Sequence, residues 1–184
     1  MASQKKRIRA GIIPYAYDDN SELVFLFGKE IYGKWSALAG TVKDNEDLAH
    51  AAVREFVEEI MGFYKEDDLL SYLNEDNKLV VIDDETISYY YLVPFVWDPN
   101  LPRYFANVTL FLLRCTGGKK NKWGVPTLGT CDDGLFEKSM IDWFPLSSLI
   151  SMTYTETRRL FGRKATSMIQ SLLRFVWASK ERTR

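Results

Sequence analysis

Three carboxylates, Glu55, Glu58 and Glu59, stand at i, i+3 and i+4 in the run Arg54-Glu-Phe-Val-Glu-Glu59. If the segment is helical, this spacing stacks them on one face. Like charges so placed cost a helix roughly 0.2–0.5 kcal/mol per pair, so the segment calls for a compensating cation. Hard divalent ions such as Mg²⁺ and Mn²⁺ prefer oxygen ligands and suit such a cluster. Gly40 upstream lets the backbone come close, which adds the carbonyl of Ala39 to the candidate ligands. Arg54 meets Glu46 if the chain ahead of the helix curls back, and that pair would fix the loop. His50, the one histidine, reads as a helix-surface residue one turn before Arg54.

These side chains need a frame. Arg7 to Tyr17 and Glu22 to Lys29 are apolar, aromatic-rich runs around the polar turn Asp18-Asp19-Asn20-Ser21, the pattern of a hairpin. Lys34 to Ala39 is a third short run ending at Gly40. From Asp47 the period changes: Leu48, Ala51, Ala52, Phe56 and Ile60 recur at helical spacing until Gly62 offers a stop. Strand, glycine turn and amphipathic helix thus follow one another through the acidic cluster. Lys78 to Ile82, Thr86 to Val96 and Asn107 to Cys115 read as strands, the last because Val, Thr and Phe are frequent and Gly117-Gly118 ends it at strand length. A long loop from Lys119 to Gly134 leads to a strand, Ser139 to Phe144, a Pro145 turn and a final amphipathic helix over about 157–178.

Composition frames what this site serves. The 184 residues, with 46% hydrophobic and 27% charged, describe a globular chain rather than a disordered or repetitive one. We read a single domain over 1–184 with short basic N- and C-terminal extensions and no internal repeat. Two cysteines, Cys115 and Cys131, are too few for a disulfide scaffold. No apolar stretch approaches the ~20 residues of a membrane span, and a soluble, cytoplasmic protein is expected. The net charge of −1 averages unlike parts: residues 41–86 hold 14 acids against 4 bases, whereas 151–184 hold 8 bases against 2 acids. Bulk charge therefore draws in no polyanion, and any such partner needs a local patch.

The segment from Gly40 through Glu46, Arg54, Glu55, Phe56, Glu58 and Glu59 to Gly62 resembles the signature of the Nudix hydrolases. It departs by one residue, because Ile60 and Met61 precede the final glycine where the family has a single residue. Leu38 and Ala39 also replace a Pro-Gly common in the family's loop. The resemblance implies an α/β fold, an α/β/α sandwich with a central mixed sheet. It implies a hydrolase acting on phosphoric anhydride bonds, dependent on Mg²⁺ or Mn²⁺, with Glu55, Glu58 and Glu59 on the metal. One of the three would help orient or deprotonate water. Glu137 is the candidate general base by its place in the chain, with a surface acid at the loop's end as the competing reading, and Gly40, Glu46 and Arg54 support the box. Expected substrates are nucleoside diphosphate derivatives or nucleoside triphosphates, with the 5′ cap of RNA (mRNA decapping) as a further candidate. Lys29 and Lys34 are candidates for phosphate contact and Trp35 for stacking a base. The basic group Arg158, Arg159, Arg163 and Lys164, with the basic N-terminus (Lys5, Lys6, Arg7 and Arg9), could track an RNA backbone. The alternative is a Nudix-fold nucleotide- or RNA-binding regulatory protein without turnover. Monomer and homodimer are both open.

Overall fold

The computed structural model describes residues 6–120, 126 and 136–182. Strands β1 (Arg7–Tyr17), β2 (Leu23–Glu30), β3 (Trp35–Ser36) and β4 (Leu38–Thr41) lead into helix α1 (Leu48–Glu59). Helix α2 (Glu66–Leu70), strands β5 (Lys78–Ile82) and β6 (Thr86–Pro94), and helix α3 (Leu101–Cys115) follow. The described chain closes with β7 (Lys138–Pro145), α4 (Leu146–Ser151) and α5 (Tyr154–Arg182), the last broken by a non-helical Gly162.

One seven-stranded sheet organises the chain, in the order β3-β2-β1-β6-β5, with β4 added to β1 and β7 to β2. The β1–β6 pair is parallel and the others are antiparallel, so the sheet is mixed. Period-two alternation sorts its side chains to two faces. Ile12, Val24, Leu26, Tyr91 and Val93 pack with Ala52, Phe56 and Phe105 under α1 and α3. Ile13, Phe25, Phe27, Tyr90 and Leu92 pack with Phe161, Ile169 and Leu172 under α5. Helices on both faces make an α/β/α sandwich with two cores.

The stretch Asn107 to Cys115 corrects the strand expectation. It is the second half of α3, a helix that opens with Pro102 in its first turn, where the missing N–H is harmless. Leu101, Phe105 and Thr109 are buried four residues apart, and that period overrides the β-preference of Val, Thr and Phe. The final helix begins at Tyr154, slightly before the expected start, and continues beyond 178 to Arg182. Most of the Lys119–Gly134 loop, together with Cys131, lies outside the described residues, as do the side chains of Arg163 and Lys164.

Two close approaches tie the sheet to α1. Gly11 on β1 pairs with Ala39 on β4, and a Cβ there would fall 2.3 Å from the Leu38 carbonyl oxygen and 2.2 Å from the Ala39 Cβ. A Cβ on Gly40 would meet the Glu55 carboxylate at 2.0 Å, so this acid lies directly against the bare backbone of the turn.

Candidate active site

Asp47 caps α1, accepting from the N–H groups of Ala49 and His50, and the His50 ring pairs with the same carboxylate at the surface. The lone histidine therefore serves the helix start. Ahead of it the chain curls back through Asn45, whose φ of 62° lies in the left-handed region. That reversal delivers Glu46 to Arg54: Nε donates to Oε1 at 2.7 Å and Nη2 to Oε2 at 2.9 Å, a bidentate pair. Arg54 also donates to Glu55 Oε1 at 2.8 Å and to the Thr41 carbonyl at 3.2 Å, and lies 3.6 Å from Glu58 Oε1. One guanidinium thus gathers the loop and two of the three box acids. At the far end the extra residue Met61 takes a φ of 58°, and Gly62 follows at 71°. The helix exits by a left-handed turn after Glu59, and the carboxylates keep their helical spacing.

Glu46 is held below the ordinary carboxylate value, chiefly by its bond to Arg54. A lowered folded-state value contributes stability that is present above the unfolded value of 4.5 and lost as pH falls through the folded one. Thermal melts followed by circular dichroism should therefore show the midpoint falling as pH drops below about 4.5. In Glu46→Gln that acid-side slope becomes shallower, from a lower starting midpoint at neutral pH. An unchanged slope in the variant would show that the pair does not carry the effect.

Glu59 faces a different neighbour. Its side chain is 1% exposed, Oε2 accepts the Ala39 N–H at 2.9 Å, and Oε1 lies 3.1 Å from Lys138 Nζ. Lys138, equally buried, also donates to Glu30 Oε1 at 2.7 Å and to Ser36 Oγ at 2.8 Å. Burial pushes the Glu59 carboxyl upward, with Lys138 opposing. Burial also works against the Lys138 charge, but Glu59 and Glu30 outweigh it and hold the ammonium above the usual lysine value. The Ala39 carbonyl accepts from Arg9 Nη2 at 2.7 Å.

A cleft of about 360 Å³ opens beside these groups, lined by Arg7, Arg9, Gly40, Thr41, Glu55, Thr86 and Glu137. Glu137, solvent-accessible at the rim, has its carboxyl raised by surrounding protein, with Glu30 and Glu55 adding and Lys138 and Arg9 opposing. Among the described residues no three His, Cys, Asp or Glu side chains are gathered closely enough to hold a metal ion as they stand. Arg54 draws Glu46 and Glu55 to itself, and Lys138 stands beside Glu59, whose buried Oε1 has no hydrogen-bond partner among the described residues. The neighbourhood is nevertheless acidic overall. Six carboxylates (Glu30, Glu46, Glu55, Glu58, Glu59 and Glu137) stand against four cations (Arg7, Arg9, Arg54 and Lys138). An all-oxygen donor set with surplus negative charge fits a hard divalent cation.

The remaining sequence candidates lie elsewhere. Trp35 is buried in the α5-side core with its ring edge-on to Phe144, and Lys29 Nζ sits 5.7 Å from the Trp35 ring centre. That ring is packed, not open to a base. Lys34 donates to the Arg159 carbonyl at 2.5 Å, which ties it to α5. Sequence reasoning assigned no site role to Arg9, Glu30 or Lys138. Arg9 carried a weak signal, as one of four bases, Lys5, Lys6, Arg7 and Arg9, in the basic N-terminus.

A family model described as the NUDIX domain matches residues 5–107. The chain belongs to the Nudix family, a class of hydrolases acting on pyrophosphate bonds, and its sandwich is the Nudix fold. Among solved structures, an Ap4A hydrolase of C. elegans in a binary complex is 16% identical with a TM-score of 0.52, covering 95% of this chain and 98% of that one. The MutT protein of Methanosarcina mazei Go1 is 14% identical with a TM-score of 0.53, over 98% and 99%. A bifunctional NMN adenylyltransferase/ADP ribose pyrophosphatase of Francisella tularensis, complexed with AMP and a Mn ion, is 16% identical with a TM-score of 0.56; the match covers 95% of this chain and 43% of that one. These likenesses concern the fold. No curated protein matches the chain. Among the described residues no helix is long and apolar enough to cross a membrane.

Proposed function

We propose that the chain is a Mg²⁺- or Mn²⁺-dependent pyrophosphohydrolase of nucleoside diphosphate derivatives, acting as one domain over residues 1–184 in the cytoplasm. The observation that carries this reading is the juxtaposition of an over-acidic carboxylate cluster at the Ala39–Gly40 turn with a cleft that also holds Arg7 and Arg9. Glu55, Glu58 and Glu59, with the Ala39 carbonyl beside them, are the groups to hold the ion. Glu55 and Glu58 must turn from Arg54 to close around it. When bound, the ion supplies Lewis-acid polarisation of phosphoryl oxygens and a lowered water pKa.

The chain's own residues do the rest. Arg7 and Arg9 offer guanidinium donors to phosphate oxygens entering the cleft. Glu137, at the rim with a raised carboxyl value, is the group to accept the proton of the attacking water. Water oxygen bonds to one phosphorus as the bridging P–O bond breaks, and the bridging oxygen leaves with the second phosphate. Arg54 keeps the loop of Glu46 closed through this exchange.

Substrate follows from what the cleft recognises, a linked pair of phosphates. The likeness in fold to an ADP ribose pyrophosphatase and an Ap4A hydrolase supports testing those two compounds first. A panel of ADP-ribose, Ap4A, a nucleoside triphosphate and capped RNA, each incubated with Mn²⁺ and resolved by chromatography, should show a nucleoside monophosphate released from at least one diphosphate-linked compound. Cleavage of capped RNA alone would move the substrate class to decapping. Binding without cleavage across the panel would favour the regulatory alternative.

A further inference from the structure

The Ala39 carbonyl is claimed twice. It stands among the groups to hold the divalent ion, and Arg9 Nη2 donates to it at 2.7 Å. Two cations drawn to one neutral oxygen repel each other. The carbonyl is the fixed partner in that bond. Ala39 pairs with Gly11 across β1 and β4, its N–H is bound by Glu59 Oε2 at 2.9 Å, and the two strands lie so close that a Cβ on Gly11 would fall 2.3 Å from the Leu38 oxygen. Arg9 is the partner that can move. It is half-buried, it lines the cleft, and its one hydrogen bond among the described residues is this one, to an uncharged acceptor. A guanidinium carries five N–H donors, so most of them are left for another acceptor. Arg54 is the contrast, gripped by Glu46 through two bonds and by Glu55 through a third.

We infer that Arg9 couples the two halves of the site: it rests on the Ala39 carbonyl until phosphate oxygens enter the cleft, then transfers to them and releases the carbonyl for the ion. This rests on the metal-dependent reading above and deepens it, because ion and diphosphate then favour each other through a residue of the chain. A bidentate pair with phosphate, charged on both sides, outweighs a single bond to a neutral carbonyl, which sets the direction of the transfer. Before it, Arg9 opposes the ion. Its positive charge reaches Glu30 and Glu137 as well, lowering the carboxyl value of each, so it is felt among the acids that make the site attractive to a cation. Arg7 supplies the comparison. It lines the same cleft, but its guanidinium lies 3.8 Å from Glu85 with 68% of the side chain exposed. A charge so placed is largely screened by solvent and salt.

The test measures Mn²⁺ affinity without phosphate, by electron paramagnetic resonance of the free ion, and KM for the preferred diphosphate substrate at saturating Mn²⁺. Unaltered full chain, Arg9→Met and Arg7→Met are compared. Arg9→Met should bind Mn²⁺ at least about fivefold more tightly, because a cation beside the site is gone. Its KM should rise about tenfold, because a charge-assisted phosphate contact is gone. Arg7→Met should raise KM while leaving Mn²⁺ affinity within about twofold. The opposite signs in Arg9→Met are the signature, since a variant that merely damages the site weakens both. Unchanged or weaker Mn²⁺ binding in Arg9→Met, an equal gain in Arg7→Met, or an unaltered KM in Arg9→Met would overturn this inference. With hydrolysis by the unaltered chain intact, any of those results leaves the functional reading standing. Absence of both Mn²⁺ binding and hydrolysis in all three proteins would overturn both. Arg9→Gln, which removes the charge and keeps a polar side chain, is expected to follow Arg9→Met and keeps the question decidable if the methionine variant fails to fold.

Discussion

Glu58→Gln is expected to lower turnover on the preferred diphosphate substrate by about a thousandfold while leaving the thermal midpoint nearly unchanged, because loss of a metal-holding carboxylate removes several kcal/mol of charge stabilisation. Glu58 is half-buried on α1, with 19% of its side chain accessible. Its contact with Arg54 is a loose 3.6 Å, whereas Arg54 keeps its bidentate hold on Glu46 and its bond to Glu55. Glutamine preserves the shape and the helix but removes the charge. Steady-state rates with saturating Mn²⁺, beside a circular dichroism melt, separate the two effects. A collapsed melt would place Glu58 in the scaffold, and an unaltered rate would remove it from the site.

The second large effect is in the frame. Gly11→Ala should destabilise the protein by about 3 kcal/mol, the upper part of the usual range for overpacking. In a chain of this size that corresponds to a midpoint lower by roughly 6–12 °C. The new methyl meets the Leu38 carbonyl oxygen at 2.3 Å and the Ala39 Cβ at 2.2 Å, atoms of a paired strand that cannot swing aside. The only relief is movement of β4, and β4 carries Ala39 and Gly40, against which Glu59 and Glu55 are set. Activity should therefore fall in the fraction that remains folded. Urea titration combined with rate measurement at low temperature checks both. A stable, fully active variant would mean that the β1–β4 contact does not position the site.

The box was legible because it is local. Helical spacing alone sets Glu55, Glu58 and Glu59 beside one another, and the Arg54–Glu46 pair spans only eight residues, closed by one left-handed Asn45. The hairpin and the helix after it were legible for the same reason, since each period lies within one short window. What the sequence hid is non-local. Lys138 meets Glu30 and Ser36 from 108 and 102 residues away, and nothing in a window around Lys138 signals that a lysine there is buried. Helix α3 was missed because its period begins at Leu101, ahead of the β-favouring residues on which the strand reading rested. Trp35 looked available for stacking because a short run beside a turn does not reveal that α5 covers it.

The proposed chemistry depends on a divalent ion at the box carboxylates. The direct measurement is the hydrolysis rate of the preferred panel substrate after dialysis against EDTA, followed by titration with Mn²⁺ or Mg²⁺. The rate is predicted to fall at least about a hundredfold on chelation and to return in full with either ion. A chelated protein that keeps its full rate would contradict the account.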